Sequence, residues 1–278
     1  GALENLGGVK GSQFHVNPRF FSKGARDPEH DVHQEWIATW RNAKGKPRYM
    51  YTSENRIRAA TEKWKTIRNL FPQMEKSQKA FHDGFNNPNL HQRDRDGNAI
   101  MYIISKCGIR VGEEGHYRTT AAEIEAGTIA HKSQTEPTRG AVTLWKKDVT
   151  IKGDSVHLSF TGKHGVHNTA IVTDKKLAQY MEHRMSGKSD KDFVFEAQKT
   201  NATNAIKAAT KAGHLDASNA KRGKWTPHNW RTVIGTTVAA HALMDQGPLT
   251  LSKDPVQASA QIQERINAAS VVVGKALN

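Results

Sequence analysis

Apolar residues recur along this chain with two different periods, and the change from one to the other divides it near Ser53. Before that point, HQEWIATWRNAKGKPRYMYTS is rich in aromatic and β-branched residues on either side of a turn-like AKGKP, a pattern that predicts strands joined by a loop. The first ~20 residues have no period and are rich in glycine and polar groups, which predicts loose chain or an expression remnant. After Ser53 the spacing lengthens. Ile57, Ala60, Trp64, Ile67 and Phe71 fall on one helical face with Ser53 at the N-cap, and a buried helix over Asn98 to Val111 follows. GAVTLWKKDVTI, DSVHLSFTG and HNTAIVT then read as strands joined by the glycine turns KGD and GKHG, a three-stranded antiparallel meander. Helices resume over Asp174 to Met185, around Thr203 to Ala212, and in TPHNWRTVIGTTVAAHALM, where Thr226 is the N-cap and Pro227 the first helical residue. A last helix starts at Asp254 and Pro255, carries Ile262, Ile266, Ala269, Val273 and Leu277 on one face, and reaches VVVGKALN with no stop signal. The sum is an α+β chain: a mostly helical domain over 53–278 with a small three-stranded antiparallel sheet, preceded by a β-rich segment over 1–52.

Composition narrows the setting. The 278 residues, 36% hydrophobic and 24% charged, are enough to bury a core. The longest apolar runs, such as AIMYII and SVVVG, fall far short of the ~20 residues that span a bilayer, and no signal-peptide pattern opens the chain. An intracellular setting is expected, in cytoplasm or nucleoid or as a viral protein. A single cysteine, Cys107, leaves no disulfide framework or cysteine-based zinc site. Forty-one Lys and Arg against 27 Asp and Glu give +14, with the basic residues scattered among Trp, Tyr, Asn and Gly. No lysine-rich amphipathic helix with a bulky apolar face accompanies them, so nucleic acid is favoured over membrane as the partner.

Several chemistries lack their spacing. There is no GxxxxGK[ST], GxGxxG or GxSxG, so neither a nucleotide cofactor nor a serine-hydrolase elbow is indicated. Among 14 histidines, His30 with His33 and His164 with His167 are close in sequence, yet no HExxH or set of cysteines and carboxylates accompanies them. No metal and no cofactor are expected.

Three basic residues stand out by placement. Arg110, in SKCGIRVGEEGHY, is read at the end of an apolar helix, where burying it calls for an anionic partner. Lys163 lies at a hairpin tip between glycines that let the backbone approach a ligand. Arg231 lies in the first turns of a helix whose N-terminus favours phosphate. Singly, each has an ordinary explanation: an ion pair with acids such as Glu113 or Glu123, or a solvated turn lysine.

In this order, the surrounding motifs resemble the type IB DNA topoisomerases, the family that includes the poxvirus and bacterial short enzymes. HQEWIATWRNAKGKPRYMYTSENRIRAATEKW is similar to the family's strand, basic glycine loop, YxY pair and lysine-bearing helix. IRVGEEGHY resembles its RxGN..Y element, GAVTLWKKDVTIKGDSVHLSFTGKHGVHNTAIV its GLTTL..HV....V.F.F.GK.G..H segment, and HNWRTVIGTTVAAHAL its KDFRTW.GT..AA helix. The resemblance implies ATP- and metal-independent relaxation of supercoiled DNA by a monomer that clamps the duplex. It implies that Arg110 and Arg231 hold the scissile phosphate and that Lys163 is the general acid. DNA contacts are implied at Lys46, Arg48, Tyr49, Tyr51, Tyr117, Thr143, Lys146 and His167. These residue types suit the chemistry, because guanidinium forks neutralise the non-bridging oxygens of a phosphorane-like transition state and an ammonium can protonate the leaving 5′-oxygen.

Two departures matter. The family attacks with a tyrosine near its C-terminus, whereas the five tyrosines here are Tyr49, Tyr51, Tyr102, Tyr117 and Tyr180, so that nucleophile is expected beyond Asn278 and the 278 residues are expected to bind DNA without cutting it. His228 stands where the topoisomerases usually carry lysine, and HxxR is the arrangement of the tyrosine recombinases, which share the fold. A recombinase or integrase catalytic domain is therefore the second reading, and a non-catalytic DNA-binding module the third.

Overall fold

A computed structural model describes residues 14–16, 36–41, 45, 47–129, 134–218 and 225–277. The chain divides into two compact units, Gly1–Lys65 and Thr66–Asn278. In the first, β1 (Phe14–Val16), β2 (Trp36–Arg41) and β3 (Pro47–Tyr51) form an antiparallel sheet in the order β1-β2-β3. Two of these strands answer the predicted pair around AKGKP. The third, β1, falls in a stretch read as periodless, since three residues are too few to show a period.

Helix α1 (Ser53–Leu70) starts one residue away from its expected cap: the Asn55 N–H donates to Thr52 Oγ1 at 3.0 Å. Its predicted apolar face is mostly exposed, with Ile57 at 66%, Trp64 at 55% and Phe71 at 57%, and only Ile67 is buried.

The second unit is organised around α3 (Gln92–Cys107), which packs against α2 (Met74–Asn86), α6 (Lys199–Lys211) and α7 (Pro227–Met244). Asp96 through Ser105 are all buried, so this helix has no solvent face over its second half. It begins earlier than Asn98 because a charge has been taken into the core. Both Asp96 oxygens are satisfied: the Tyr180 hydroxyl donates at 2.7 Å, Gln92 Nε2 at 3.0 Å, the Glu196 N–H at 2.9 Å and Arg184 Nη2 at 3.2 Å. The helix also ends earlier than Val111. Gly108 adopts φ 68° and its N–H returns to the Ile104 carbonyl at 2.9 Å, a left-handed cap that closes the helix and leaves Arg110 in an exposed loop. The expectation that Arg110 ends a helix is corrected accordingly.

The predicted meander forms from β4 (Val149–Lys152), β5 (Ser155–Thr161) and β6 (His167–Thr173), in the order β4-β5-β6. Val156, Leu158 and Phe160 alternate inward on β5, as period-two burial requires. The segment before β4 is not the strand its sequence suggests. Ala141–Thr143 and Lys146–Asp148 form short 3-10 turns, and 141–145 are buried without alternation. Side chains impose those turns: Thr143 Oγ1 accepts from the Gly140 N–H at 3.1 Å, and Asp148 Oδ2 accepts from the Trp145 N–H at 2.9 Å.

Helices α4 (Glu114–Glu125), α5 (Lys175–Met185) and α8 (Pro255–Leu277) complete the unit. Asp174 caps α5 through the Leu177 N–H at 2.8 Å, and Asp254 caps α8 through the Val256 N–H at 2.7 Å, both at predicted starts. The apolar seam of α8 is only partly covered, with Ala269 buried but Ile262 and Ile266 exposed.

A buried cation pins the segment before β4. The Arg139 guanidinium is bidentate to Asp148 at 2.7 and 3.0 Å, reaches Glu136 Oε2 at 2.6 Å and lies over the Trp145 ring at 4.1 Å. Burial alone would raise the Glu136 carboxyl, but hydrogen bonds from Lys147 and Arg139 hold it at about 2, below its ordinary 4.5. Its stabilising contribution is therefore complete above about 4.5 and disappears as pH falls toward about 2. Glu136→Gln is expected to lower stability at pH 7 and to flatten the acid limb across that window. Urea unfolding midpoints from pH 7 down to pH 3 would measure it, and parallel wild-type and variant curves would refute it.

Candidate active site

Arg231 sits in the second turn of α7, whose start is fixed locally. Pro227 is its first residue, and Asn229 Oδ1 reaches back to accept from the Thr226 N–H at 2.7 Å and the Thr226 hydroxyl at 2.8 Å. The Arg231 side chain points inward and is 7% exposed. Its Nη1 donates to the Gly108 carbonyl at 2.5 Å and to the Leu277 carbonyl at 3.2 Å. The first acceptor is the C-cap residue of α3, where the macrodipole is negative, and the second lies on α8. The Leu277 side chain fixes that arrangement sterically. A Cβ on Gly108 would meet it at 2.7 Å and one on Gly235 at 2.9 Å, so the two glycines form its seat.

Arg110 is close enough to act on Arg231 electrostatically. Burial, then the Arg110 charge, pulls the Arg231 guanidinium down to about 10 from 12.5. No carboxylate among the described residues pairs with either arginine. Glu113, one candidate partner, is bound to Lys199 at 3.3 Å instead. Cys107, beside them, is an inert thiol: burial pushes it up to about 11.

Backbone contacts run from this pair to the lysine hairpin. The Ala141 N–H donates to the Arg110 carbonyl at 2.9 Å and the Val142 N–H to the Val111 carbonyl at 2.8 Å, and the Arg139 N–H reaches the Thr161 carbonyl at the end of β5 at 2.9 Å. Gly140 permits the crossing, because a Cβ there would lie 2.6 Å from Gly112 N and 2.7 Å from the Arg110 carbonyl oxygen. Beyond Thr161, the Gly162 N–H closes the tip by donating to Val166 O at 2.7 Å, and Lys163 projects into solvent from a single 3-10 turn in which His164 has φ 64°. His228 is exposed one turn before Arg231 on α7.

The other expected DNA-contacting residues are distributed unevenly. Tyr49 and Tyr51 project from one face of β3, both exposed, with ring centroids 6.3 Å apart, and Trp36 meets Tyr49 edge-on at 6.2 Å. Arg48, just before Tyr49 on β3, is exposed, while Lys44 and Lys46 lie outside the described residues. His167 is exposed with Nε2 3.1 Å from Ser159 Oγ. Tyr117 is half-buried, packed edge-on against Phe193 and Trp145, and Lys146 Nζ donates to the Lys188 carbonyl at 2.6 Å. Thr143 needs correction: it is 1% exposed, and its hydroxyl holds the Gly140 turn rather than facing a ligand.

Residues 52–278 match the family model described as eukaryotic DNA topoisomerase I, catalytic core. The chain belongs to that family. Two solved structures of the XerH site-specific recombinase are also similar. The post-cleavage complex with palindromic difH substrate has a TM-score of 0.39 at 12% identity, covering 71% of this chain and 48% of that one. The pre-cleavage complex with difH substrate has a TM-score of 0.38 at 11% identity, covering 70% and 48%. This chain thus corresponds to about half the length of those recombinase chains. No curated protein sequence matches.

The topoisomerase I core match contains Arg110, Lys163, His228 and Arg231. Sequence reasoning missed the parts of this core that orient them, Arg139, Gly140 and the Leu277 seat. The visible signals were TRG ahead of the strand-like run and Gly235 inside a helix, where glycine costs about 1 kcal/mol relative to alanine. Among the described residues no helix is long and apolar enough to cross a membrane.

Gly140→Ala is expected to destabilise the core by about 1–3 kcal/mol, since backbone on both sides must move, and to displace the Arg110 loop. The denaturant midpoint should fall at unchanged m-value, and a wild-type midpoint would show that the crossing is not tight.

Proposed function

We propose that this chain is the phosphate-activating part of a short-form type IB DNA topoisomerase. The complete enzyme relaxes supercoils of either sign through a transient 3′-phosphotyrosyl nick, with neither ATP nor divalent metal. One observation carries the reading: two neighbouring guanidinium groups without a carboxylate partner, one exposed and one buried, inside a sequence that matches the topoisomerase I catalytic core.

Each residue then has a role. Arg231, held by the Gly108 and Leu277 carbonyls, and Arg110, held through its backbone, neutralise the non-bridging oxygens of the scissile phosphate as charge develops on them. Lys163, exposed on its hairpin, protonates the leaving 5′-oxygen. His228, at the start of α7, adds a donor to the phosphate. Residues 1–52 clamp the duplex, 53–278 perform the chemistry, and Arg48, Tyr49, Tyr51 and His167 add contacts to a backbone-dominated, salt-sensitive interface on a monomer.

The attacking tyrosine belongs to a segment that these 278 residues do not contain. Tyr102 donates to Asp174 at 2.7 Å and Tyr180 to Asp96 at 2.7 Å, and burial followed by those carboxylates raises both phenols well above the ordinary range. A phenol held protonated against a carboxylate is a poor nucleophile. Tyr117 packs on two aromatic rings, and Tyr49 and Tyr51 belong to the clamp sheet.

A second reading has one feature in its favour. His228 three residues before Arg231 is the recombinase arrangement, and a recombinase would exchange strands between paired sites rather than relax a single plasmid.

With the full-length protein, relaxation of negatively and positively supercoiled plasmid in EDTA without ATP is expected, and strict dependence on ATP or magnesium would sink the proposal. The 278-residue chain should bind DNA yet leave no denaturant-resistant adduct, so an adduct on any of its five tyrosines would relocate the nucleophile.

In the full-length enzyme, Arg110→Ala and Arg231→Ala should each slow cleavage about 10²- to 10³-fold with little change in affinity. Lys163→Ala should be rescued by a sulfur leaving group at the 5′ position, and absence of rescue would remove its general-acid role.

A further inference from the structure

At the base of α7, the ends of three elements enclose an open cleft of about 530 Å3. Gln73, just ahead of α2, locks the turn that follows α6: its Oε1 accepts from the Asp216 N–H at 2.6 Å and its Nε2 donates to the Asn69 carbonyl at 2.8 Å. Trp225, just ahead of α7, donates through Nε1 to the Asp216 carbonyl at 3.0 Å. The cleft is therefore a fixed feature, tied to the same helix N-terminus that carries His228 and Arg231. Its walls bear Arg68, Lys76 and His214. Lys76 Nζ donates to the Gly213 carbonyl at 2.8 Å, and no carboxylate among the described residues pairs with any of the three. The one acid at the rim, Asp216, turns its Oδ1 toward the Ser218 N–H at 2.8 Å.

Arg68 and Lys76 put two fixed positive charges on the walls of one concavity, which favours an anion there. The shape is open, so it suits an anion that is part of something larger or arrives from solution, not an enclosed ligand. Arginine offers a planar fork for two phosphate oxygens and lysine a point charge for the third. We infer that this cleft is an accessory phosphate site, in which Arg68 and Lys76, joined by His214, hold a phosphate group remote from the scissile one. The source argued for is the backbone of the bound duplex. In that respect the inference rests on the DNA-binding reading above; the recognition of phosphate itself does not.

The test is the salt dependence of duplex binding by the 278-residue chain, wild type against Arg68→Ala/Lys76→Ala. Each backbone phosphate engaged contributes about 0.9 to the slope of log K against log salt. Loss of one or two contacts should make the slope shallower by about 0.9–1.8, while Lys79→Ala, whose ammonium pairs with Asp83 on the same helix at 2.6 Å, should leave it unchanged. In a second arm, inorganic phosphate at millimolar concentration is added in thermal unfolding at constant ionic strength. A slope change identifies the DNA backbone as the source. An unchanged slope with a phosphate-dependent rise in Tm that the double variant loses identifies free phosphate. Unchanged slope and no such rise overturn the inference. Failure of the wild type to bind duplex at all would count against the DNA reading alone, with the phosphate arm still deciding the cleft.

Discussion

A guanidinium removed from water and held by two carbonyls is the constraint around which this domain is arranged. Desolvating an arginine costs several kcal/mol, and neutral carbonyl acceptors return only part of that because they leave the charge in place. The Arg231 site therefore exists only if the Gly108 and Leu277 carbonyls arrive together. Gly108 must take the left-handed cap that turns its carbonyl toward the guanidinium, and Leu277 must seat between Gly108 and Gly235 for its own carbonyl to arrive. The C-terminus of α3, capped at Gly108, makes the grip electrostatic as well as geometric.

From Arg231 outward, order passes through backbone rather than side chains. Gly108, the Arg110 loop, the Gly140 crossing and the Arg139–Thr161 bond form one frame, and Arg139 is itself immobilised by Asp148, Glu136 and Trp145. Lys163 stands at the end of this frame, exposed on a hairpin tip. A buried, backbone-held arginine and an exposed lysine are thus combined on neighbouring segments.

Much of this was readable in advance, and the failures have physical causes. The meander, the caps at Asp174 and Asp254 and the start of α7 were legible because alternation and capping chemistry are local. The strand expected over GAVTLWKKD failed because residues buried from every side carry the same apolar signal as a strand, and the side chains of Thr143 and Asp148 decided for turns. Helix α2 was passed over because its apolar content is little more than Phe81 and Phe85, and α3 was misplaced because Asp96 reads as surface until its partners 84–100 residues away are known. At the site, motif resemblance picked out Arg110, Lys163 and Arg231, but whether each was buried or exposed depended on long-range contacts that no local pattern encodes. Tyr49 and Tyr51 illustrate the same limit, since a YxY pair fixes that the rings share a face and not that the face is open.

The case for reading Arg231 as more than a core arginine comes from comparing it with its own neighbours. Three arginines are buried among the described residues, Arg139, Arg184 and Arg231. Arg139 binds Asp148 and Glu136, and Arg184 binds Asp96 and Glu196, so this fold has solved the problem of a buried guanidinium twice with carboxylates. At Arg231 the same fold supplies carbonyls and a second arginine. Burial and the Arg110 charge both act against its protonated form, the reverse of an arrangement selected for stability alone. A buried guanidinium next to another positive residue, with carbonyls where its two neighbours have carboxylates, is the arrangement that the proposed role at a phosphate requires.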